Sequence, residues 1–254
     1  MDFLQTLTNA DSKHTHIFSL GQAGFIIKSR SGELLAVDPY LSNCVEFIEG
    51  HIGYKRLLPQ IIKPEELKLN VLICTHFHRD HFDVESVPVL MQHNKTHLYC
   101  AYDCKNDVIS EKIDQTRVSF VKPGAAAVNG DFSLHFIHCD HGKGAPQAVG
   151  VIIEVDGKRI VEVGDTCLRL DRVEEILAFG SIDVLIAPIN GAYGNMNEEE
   201  CAKLVSAVNP KLAIPCHYGM FASHGGNPGL FHDFMRKNGT NKYLLMAQGE
   251  RYSF

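Results

Sequence analysis

The 254-residue chain lacks an apolar run long enough to span a bilayer, and its opening stretch MDFLQTLTNADSKH lacks the apolar segment a signal peptide needs. A cytoplasmic protein with no membrane partner is therefore expected. A basic excess is also missing: 24 Lys and Arg stand against 30 Asp and Glu, a formal charge of -6, and the densest basic group is only Lys55-Arg56. That balance argues against a nucleic-acid partner, which calls for a basic stripe. The eight cysteines are too dilute for a disulfide framework and include no C-x-x-C pair. Cys74 and Cys216 lie within apolar stretches, where a reduced thiol behaves as a small hydrophobe. There is no internal repeat, low-complexity tract or linker, so one domain over residues 1–254 is expected. Nor is there a convincing Ser-His-Asp or Cys-His constellation. A hydrolase built on a protein nucleophile is thereby disfavoured.

What the chain does contain is concentrated at residues 75–83, Thr-His-Phe-His-Arg-Asp-His-Phe-Asp. The pattern H-x-H-x-D-H follows the apolar segment 71–74, and imidazole with carboxylate suits zinc, manganese or iron. A loop can aim several such groups inward at once. More donors sit at the ends of other apolar segments: Asp38 after 34–37, His141 after 132–138, Asp165 after 158–163, His217 after 212–215. Gly164 just before Asp165 allows close backbone approach.

Apolar and β-branched stretches bounded by turn signals predict strands over 16–20, 24–28, 34–37, 71–74, 96–101, 118–121, 132–138, 148–155, 158–163, 184–187, 212–215 and 243–246. Helices are expected over 84–92, 103–112, 173–179, 198–208 and 229–237. Residues 42–62 read as a lid or a loop with a short helix. Many strands in each half with helices interspersed suggest two sheets packed face to face.

Three imidazoles with one carboxylate oxygen could hold one ion, and a carboxylate, two imidazoles and the other oxygen a second. One carboxylate must bridge, and Asp165 is the natural candidate. Two cations about 3.5–4 Å apart can share a water, lower its pKa and deliver hydroxide to carbon or phosphorus.

Leu20-Gly21-Gln22-Ala23-Gly24, the 75–84 run, Val121-Lys122-Pro123-Gly124 and Ile214-Pro215-Cys216-His217 together resemble the metallo-β-lactamase superfamily. Within it they are most similar to the L-ascorbate-6-phosphate lactonase-like branch. The resemblance covers nearly the whole chain and implies an α/β fold, the four-layer αββα sandwich. It implies that His76, His78 and His141 bind one metal, that Asp80, His81 and His217 bind another, and that Asp165 is shared. Asp38 would orient a ligand histidine, and Asp80 would join Asp165 as a catalytic carboxylate by orienting the nucleophile. His141 fits the third-histidine position better than His138. Dizinc β-lactamases carry cysteine where Asp165 stands, so antibiotic hydrolysis is not expected. The flavodiiron branch carries glutamate where His78 stands, which disfavours a redox diiron centre.

Two loops remain as substrate determinants. Residues 190–197 offer Tyr193 and Asn195, and also a plain turn ending in an Asn197–Glu200 capping box. The glycine-rich run 221–229 offers His224 and either an anion cradle at a helix start or a simple turn. The resulting expectation is a hydrolase with two divalent ions, opening a lactone or ester of a small, anionic, sugar-phosphate-like substrate. A metal-dependent phosphodiesterase and a non-catalytic metal-binding protein are the rivals. Relatives of this kind often assemble, so a homo-oligomer is compatible with the reading.

Overall fold

The computed structural model describes residues 2–239 and 242–254. Met1, Thr240 and Asn241, within the expected 1–254 span, lie outside the described residues. Six strands begin the chain: β1 (His16–Gly21), β2 (Gly24–Lys28), β3 (Leu34–Val37), β4 (Val71–Cys74), β5 (His97–Ala101) and β6 (Val118–Val121). Six more follow: β7 (Ala126–Asn129), β8 (Phe132–His138), β9 (Val149–Val155), β10 (Lys158–Glu162), β11 (Val184–Pro188) and β12 (Leu212–Cys216). The last, β13 (Arg251–Ser253), returns to the edge of the first sheet, whose order is β13-β1-β2-β3-β4-β5-β6; the second runs β12-β11-β10-β9-β8-β7.

Strands β9 to β12 of the second sheet alternate between two buried faces. Val151, Ile153, Val184 and Ile186 enter the core between the sheets. Ile152, Leu185 and Ala213 enter a second core under the outer helices. Burial on both faces is why these strands read as unbroken apolar runs rather than alternating ones. Each fully buried aliphatic contributes roughly 1.5–3 kcal/mol.

The helices are α1 (Phe3–Thr8), α2 (Cys44–Glu49), α3 (Val87–Leu90), α4 (Lys105–Ser110), α5 (Val173–Leu177), α6 (Glu198–Val208) and α7 (Pro228–Lys237). Val87, Leu90 and Val108 pack α3 and α4 on the first sheet. Val173, Leu204, Val205, Phe231 and Met235 pack α5–α7 on the second. The four layers are those of the αββα sandwich. Among the described residues no helix is long and apolar enough to cross a membrane.

Three expectations change. Residues 243–246 form no strand beyond a single bridge of Tyr243 to Ala213, and the terminal strand is β13 instead. Pairing of Tyr252 with Ile17 places β13 on the free edge of β1. β7 and α1 were not anticipated; Ala-Ala-Val-Asn at an exposed edge has little strand propensity to signal it. The helix expected over 84–92 shrinks to α3, because Asp83 holds residues 85 and 86 in a side-chain-capped turn.

Strand direction positions the site. β2 and β9 run against their neighbours, so β1, β3, β4, β8, β10 and β12 all end at one edge. There Val149 N–H donates to the Thr75 carbonyl at 3.0 Å and His217 N–H donates to the Gln22 carbonyl at 2.8 Å, joining the two sheets.

Candidate metal centre

All seven expected donors converge at this edge. His76, His78, Asp80 and His81 leave the loop after β4, His141 the segment after β8, Asp165 the turn after β10, and His217 the end of β12. Three groups have donor atoms mutually within 4.8 Å: His76, His78 and His141; His76, His81 and Asp165; Asp80, His217 and His224.

The outer bonds fix the rings. His81 Nδ1–H donates to Asp38 at 2.7 Å, with both side chains fully buried. Asp38 also accepts from Thr75 N–H at 2.8 Å and from the Thr75 hydroxyl at 2.6 Å. With its proton so used, that hydroxyl is left to accept from His76 Nδ1–H at 3.1 Å. The Nε2 atoms of both rings are therefore the ones turned to the cavity. Asp38 thus stands behind the His81 ring, within hydrogen-bond reach of its Nδ1.

Backbone strain gathers around the same point. Gln22, Asp38 and His217 adopt left-handed φ values of 53°, 45° and 63°, a conformation costing non-glycine residues on the order of 1–3 kcal/mol each. Gly164, at φ 70°, could not be replaced freely: a Cβ there would lie 2.9 Å from Cys139 Sγ and 3.0 Å from the Val149 carbonyl oxygen. The close approach read from the sequence is real.

The donor spacing tests whether metals fit. Ligand atoms about 2.0–2.2 Å from a tetrahedral zinc lie about 3.3–3.6 Å from one another. Here His76 Nε2 is 2.9 Å from His78 Nδ1, and His141 Nε2 is 3.2 Å from His78 Nδ1. Asp165 Oδ2 lies 3.0 Å from His217 Nε2, 3.4 Å from His81 Nε2 and 3.8 Å from His141 Nε2. One carboxylate oxygen thus stands between imidazoles of both presumptive sets. Asp80 Oδ2 is 3.3 Å from His217 Nε2 and 3.6 Å from His81 Nε2. These residues fit divalent metal binding.

Electrostatics agree. Burial holds His76 well below the usual imidazole range and His78 down at about 4, and it lowers His141 as well, keeping these rings neutral as ligation requires. Burial also opposes charge on His81 and His217, but Asp165 and Asp80 outweigh it; His81 is held well above its usual value and His217 at about 9. Burial would raise Asp80 and Asp165 too, yet the facing imidazolium groups keep both well below the carboxylate range. Two carboxylates buried this deeply call for positive charge, which bound cations supply directly.

Several residues escaped sequence reasoning. Gln22, noted there only within a motif, turns its amide into the cluster. Its Nε2 donates to Asp80 at 2.8 Å and to His224 Nδ1 at 3.0 Å, while Oε1 is buried without a partner. The glycine-flanked turn after β1 was the available signal. Glu162, only 1% exposed, does not line the cavity and accepts from the Gly164 N–H from behind.

The substrate candidates separate. His224 is buried beside His217, with ring centroids 4.6 Å apart, and so stands within the donor group. Tyr193 lines the cavity, 5.9 Å from the Tyr54 ring. Asn195 does not line it: its amide donates to Asn190 within the same loop, a correction to its expected substrate role. His138 faces outward and pairs with Glu175 at 2.9 Å. All eight cysteines are free, and only Cys167 is not buried.

A model of the β-lactamase superfamily domain matches residues 16–217, which include every residue of the cluster except His224. The chain belongs to the metallo-β-lactamase superfamily. A relative from Archaeoglobus fulgidus, described as a UPF0173 metal-dependent hydrolase, is 27% identical and covers 92% of this chain and 97% of its own. Another so described, from Symbiobacterium thermophilum, is 28% identical over 92% and 97%. Among solved structures, a metallo hydrolase from Ignicoccus hospitalis superposes with a TM-score of 0.73 at 21% identity, covering 95% of this chain and 99% of its own. A metallo-β-lactamase-fold protein from Bacillus subtilis gives 0.65 at 16%, over 95% and 99%. These two likenesses support the superfamily's sandwich fold.

Proposed function

We infer that the protein is a metal-dependent hydrolase that opens an ester or lactone at this edge. The observation carrying the reading is the position of Asp165 Oδ2, within 3.8 Å of imidazoles from three separate strand ends. His76, His78 and His141 would hold one divalent ion, Asp80, His81 and His217 the other, with Asp165 shared; zinc, manganese and iron all suit these donors. When bound, such ions polarise a carbonyl and make water nucleophilic at neutral pH.

The chain's own groups do the positioning. Asp38 fixes His81 through a 2.7 Å bond, and Gln22 fixes Asp80 through one of 2.8 Å. Asp80 also borders the cavity, where its carboxylate can accept a water O–H and orient that water. In the overall reaction the water oxygen bonds to the acyl carbon as the bond to the alkoxy oxygen breaks. One water proton goes to the leaving alkoxide, and the other is released with the carboxylate product.

The hydrolase description of the UPF0173 relatives supports this reading. The test is metal analysis of native protein, then pH-stat assays of esters and lactones beside a bis-nitrophenyl phosphate assay. Metal-dependent acyl turnover is expected; turnover of the phosphodiester alone would favour the phosphodiesterase rival and sink the assignment.

A further inference from the structure

Above the cluster lies a cavity of about 420 Å³, a size suited to a small organic molecule. Its walls beyond the donor residues are mostly apolar and aromatic. α2 crosses the mouth and turns Val45, Ile48 and Glu49 into it, positions on one helical face. Phe77 also lines it, as do the neighbouring rings of Tyr54 and Tyr193.

The charges that line this space do not suit an anion. Arg79 is the one Lys or Arg among the lining residues, and Asp107 already pairs with it at 2.8 Å. Glu49 adds a carboxylate at the mouth. In the glycine-rich run 221–229, the sequence's candidate for an anion cradle, the start of α7 is already capped. Asn227 Oδ1 accepts from the first free N–H groups of α7, those of Gly229 and Leu230, at 2.9 and 3.1 Å. Glu198 accepts from the Asn227 N–H at 2.7 Å and brings negative charge to that helix start. A phosphate remote from the metals would thus meet one guanidinium that a carboxylate already neutralises, and no free N–H group at the α7 start.

We propose that the substrate is an uncharged ester or lactone whose apolar alkyl or aryl group packs on Val45, Ile48, Phe77 and the Tyr54 and Tyr193 rings. This rests on the hydrolase reading above and replaces the anionic, sugar-phosphate-like substrate expected from sequence.

Binding and turnover test it separately. Metal-loaded protein is titrated with two hydroxamates of matched length, one phenyl-terminated and one phosphate-terminated, whose shared head group can ligate the metals. The phenyl-terminated compound should bind about tenfold tighter or more, the effect of burying one ring. Neutral aryl-alkyl esters should likewise be hydrolysed with higher kcat/KM than phosphate-bearing counterparts. Ile48 is half exposed, so Ile48→Glu and Ile48→Lys should fold. Both should raise KM for the neutral ester several-fold with little change in kcat. Tighter binding of the phosphate-terminated hydroxamate, or a gain for it in Ile48→Lys, overturns the proposal. If no ester or lactone is turned over but the phenyl-terminated hydroxamate binds tighter, the pocket assignment stands and the hydrolase reading alone falls.

Discussion

The floor of the cavity and its mouth are built by opposite means. On the floor the His76 and His81 rings are fixed from behind and the loop around them is tied down: Asp38 alone accepts three hydrogen bonds, and Asp83 accepts from the backbone or hydroxyl groups of Leu41, Ser42, Glu85 and Ser86. At the mouth, large apolar side chains face solvent, with Phe47 78% and Ile52 59% exposed. The mouth is attached by fewer contacts, such as Arg56 stacked on Tyr40 at 4.8 Å and Leu57 N–H donating to the Met220 carbonyl at 2.8 Å. Rigid strand ends hold the chemistry to tolerance, while a lightly attached cover can change what is admitted without disturbing it.

The largest effect should come from removing the group that ties the floor together. Asp165→Ala deletes the one oxygen shared by His81, His141 and His217. Bound metal per chain, read by elemental analysis, should fall together with hydrolysis. A variant that keeps both ions and normal turnover would break the bridging assignment. Chelation of the wild type should lower the Tm as well, since a ligand bound only to the folded state stabilises that state.

Asp38→Asn should cost less, because it weakens orientation rather than removing a ligand. An outer-shell change of this kind costs about 10–100-fold in metal affinity or activity. Competition with a chromogenic chelator would read it. An unchanged affinity would mean that packing, not the Asp38 bond, fixes the His81 ring.

This same division explains what the sequence revealed. The floor was legible because its donors are chemically distinctive and stand at the ends of strands such as β4 and β12, whose apolar runs announce them. Even so, the glycine-flanked turn marked Gln22 but not its role, because its partners Asp80 and His224 are far away in sequence, and nothing marked Glu162, a carboxylate inside an apolar strand. The mouth was opaque. Residues 42–62 hold a six-residue helix and a single 3₁₀ turn, too short for periodicity to show, and their apolar side chains are divided among solvent, the cavity and two separate buried clusters. Asn195 misled because a loop asparagine looks the same in sequence whether it faces substrate or its own loop.

A smaller effect should appear beneath the floor. Burial, followed by the nearby Asp38 carboxylate, holds Glu162 well above its usual range, so it is protonated in the fold and the unfolded chain ionises first. The folded state then binds the extra proton, and wild-type stability falls as pH rises above the ordinary carboxylate value, by at most about 1.4 kcal/mol per pH unit. Glu162→Gln cannot ionise and should lose this dependence. Unfolding midpoints of the two proteins, measured from pH 4 upward, should diverge in favour of the variant. Parallel curves would show that Glu162 is ionised in the fold.

The smallest effect is expected on the outer side of the mouth. α2 turns Val45, Ile48 and Glu49 inward, which leaves Phe47 pointing away with most of its ring in solvent. A residue so exposed makes little packing contact, and such surface substitutions usually stay within about ±0.5 kcal/mol. Phe47→Ser should therefore leave Tm, kcat and KM essentially as they were, while Ile48 variants one residue away shift KM. Sedimentation of wild type and variant adds the remaining discrimination. If Phe47→Ser splits an oligomer or sharply lowers the Tm, the outer face of α2 is covered by a second copy. The mouth would then be a subunit interface, as firmly held as the floor beneath it.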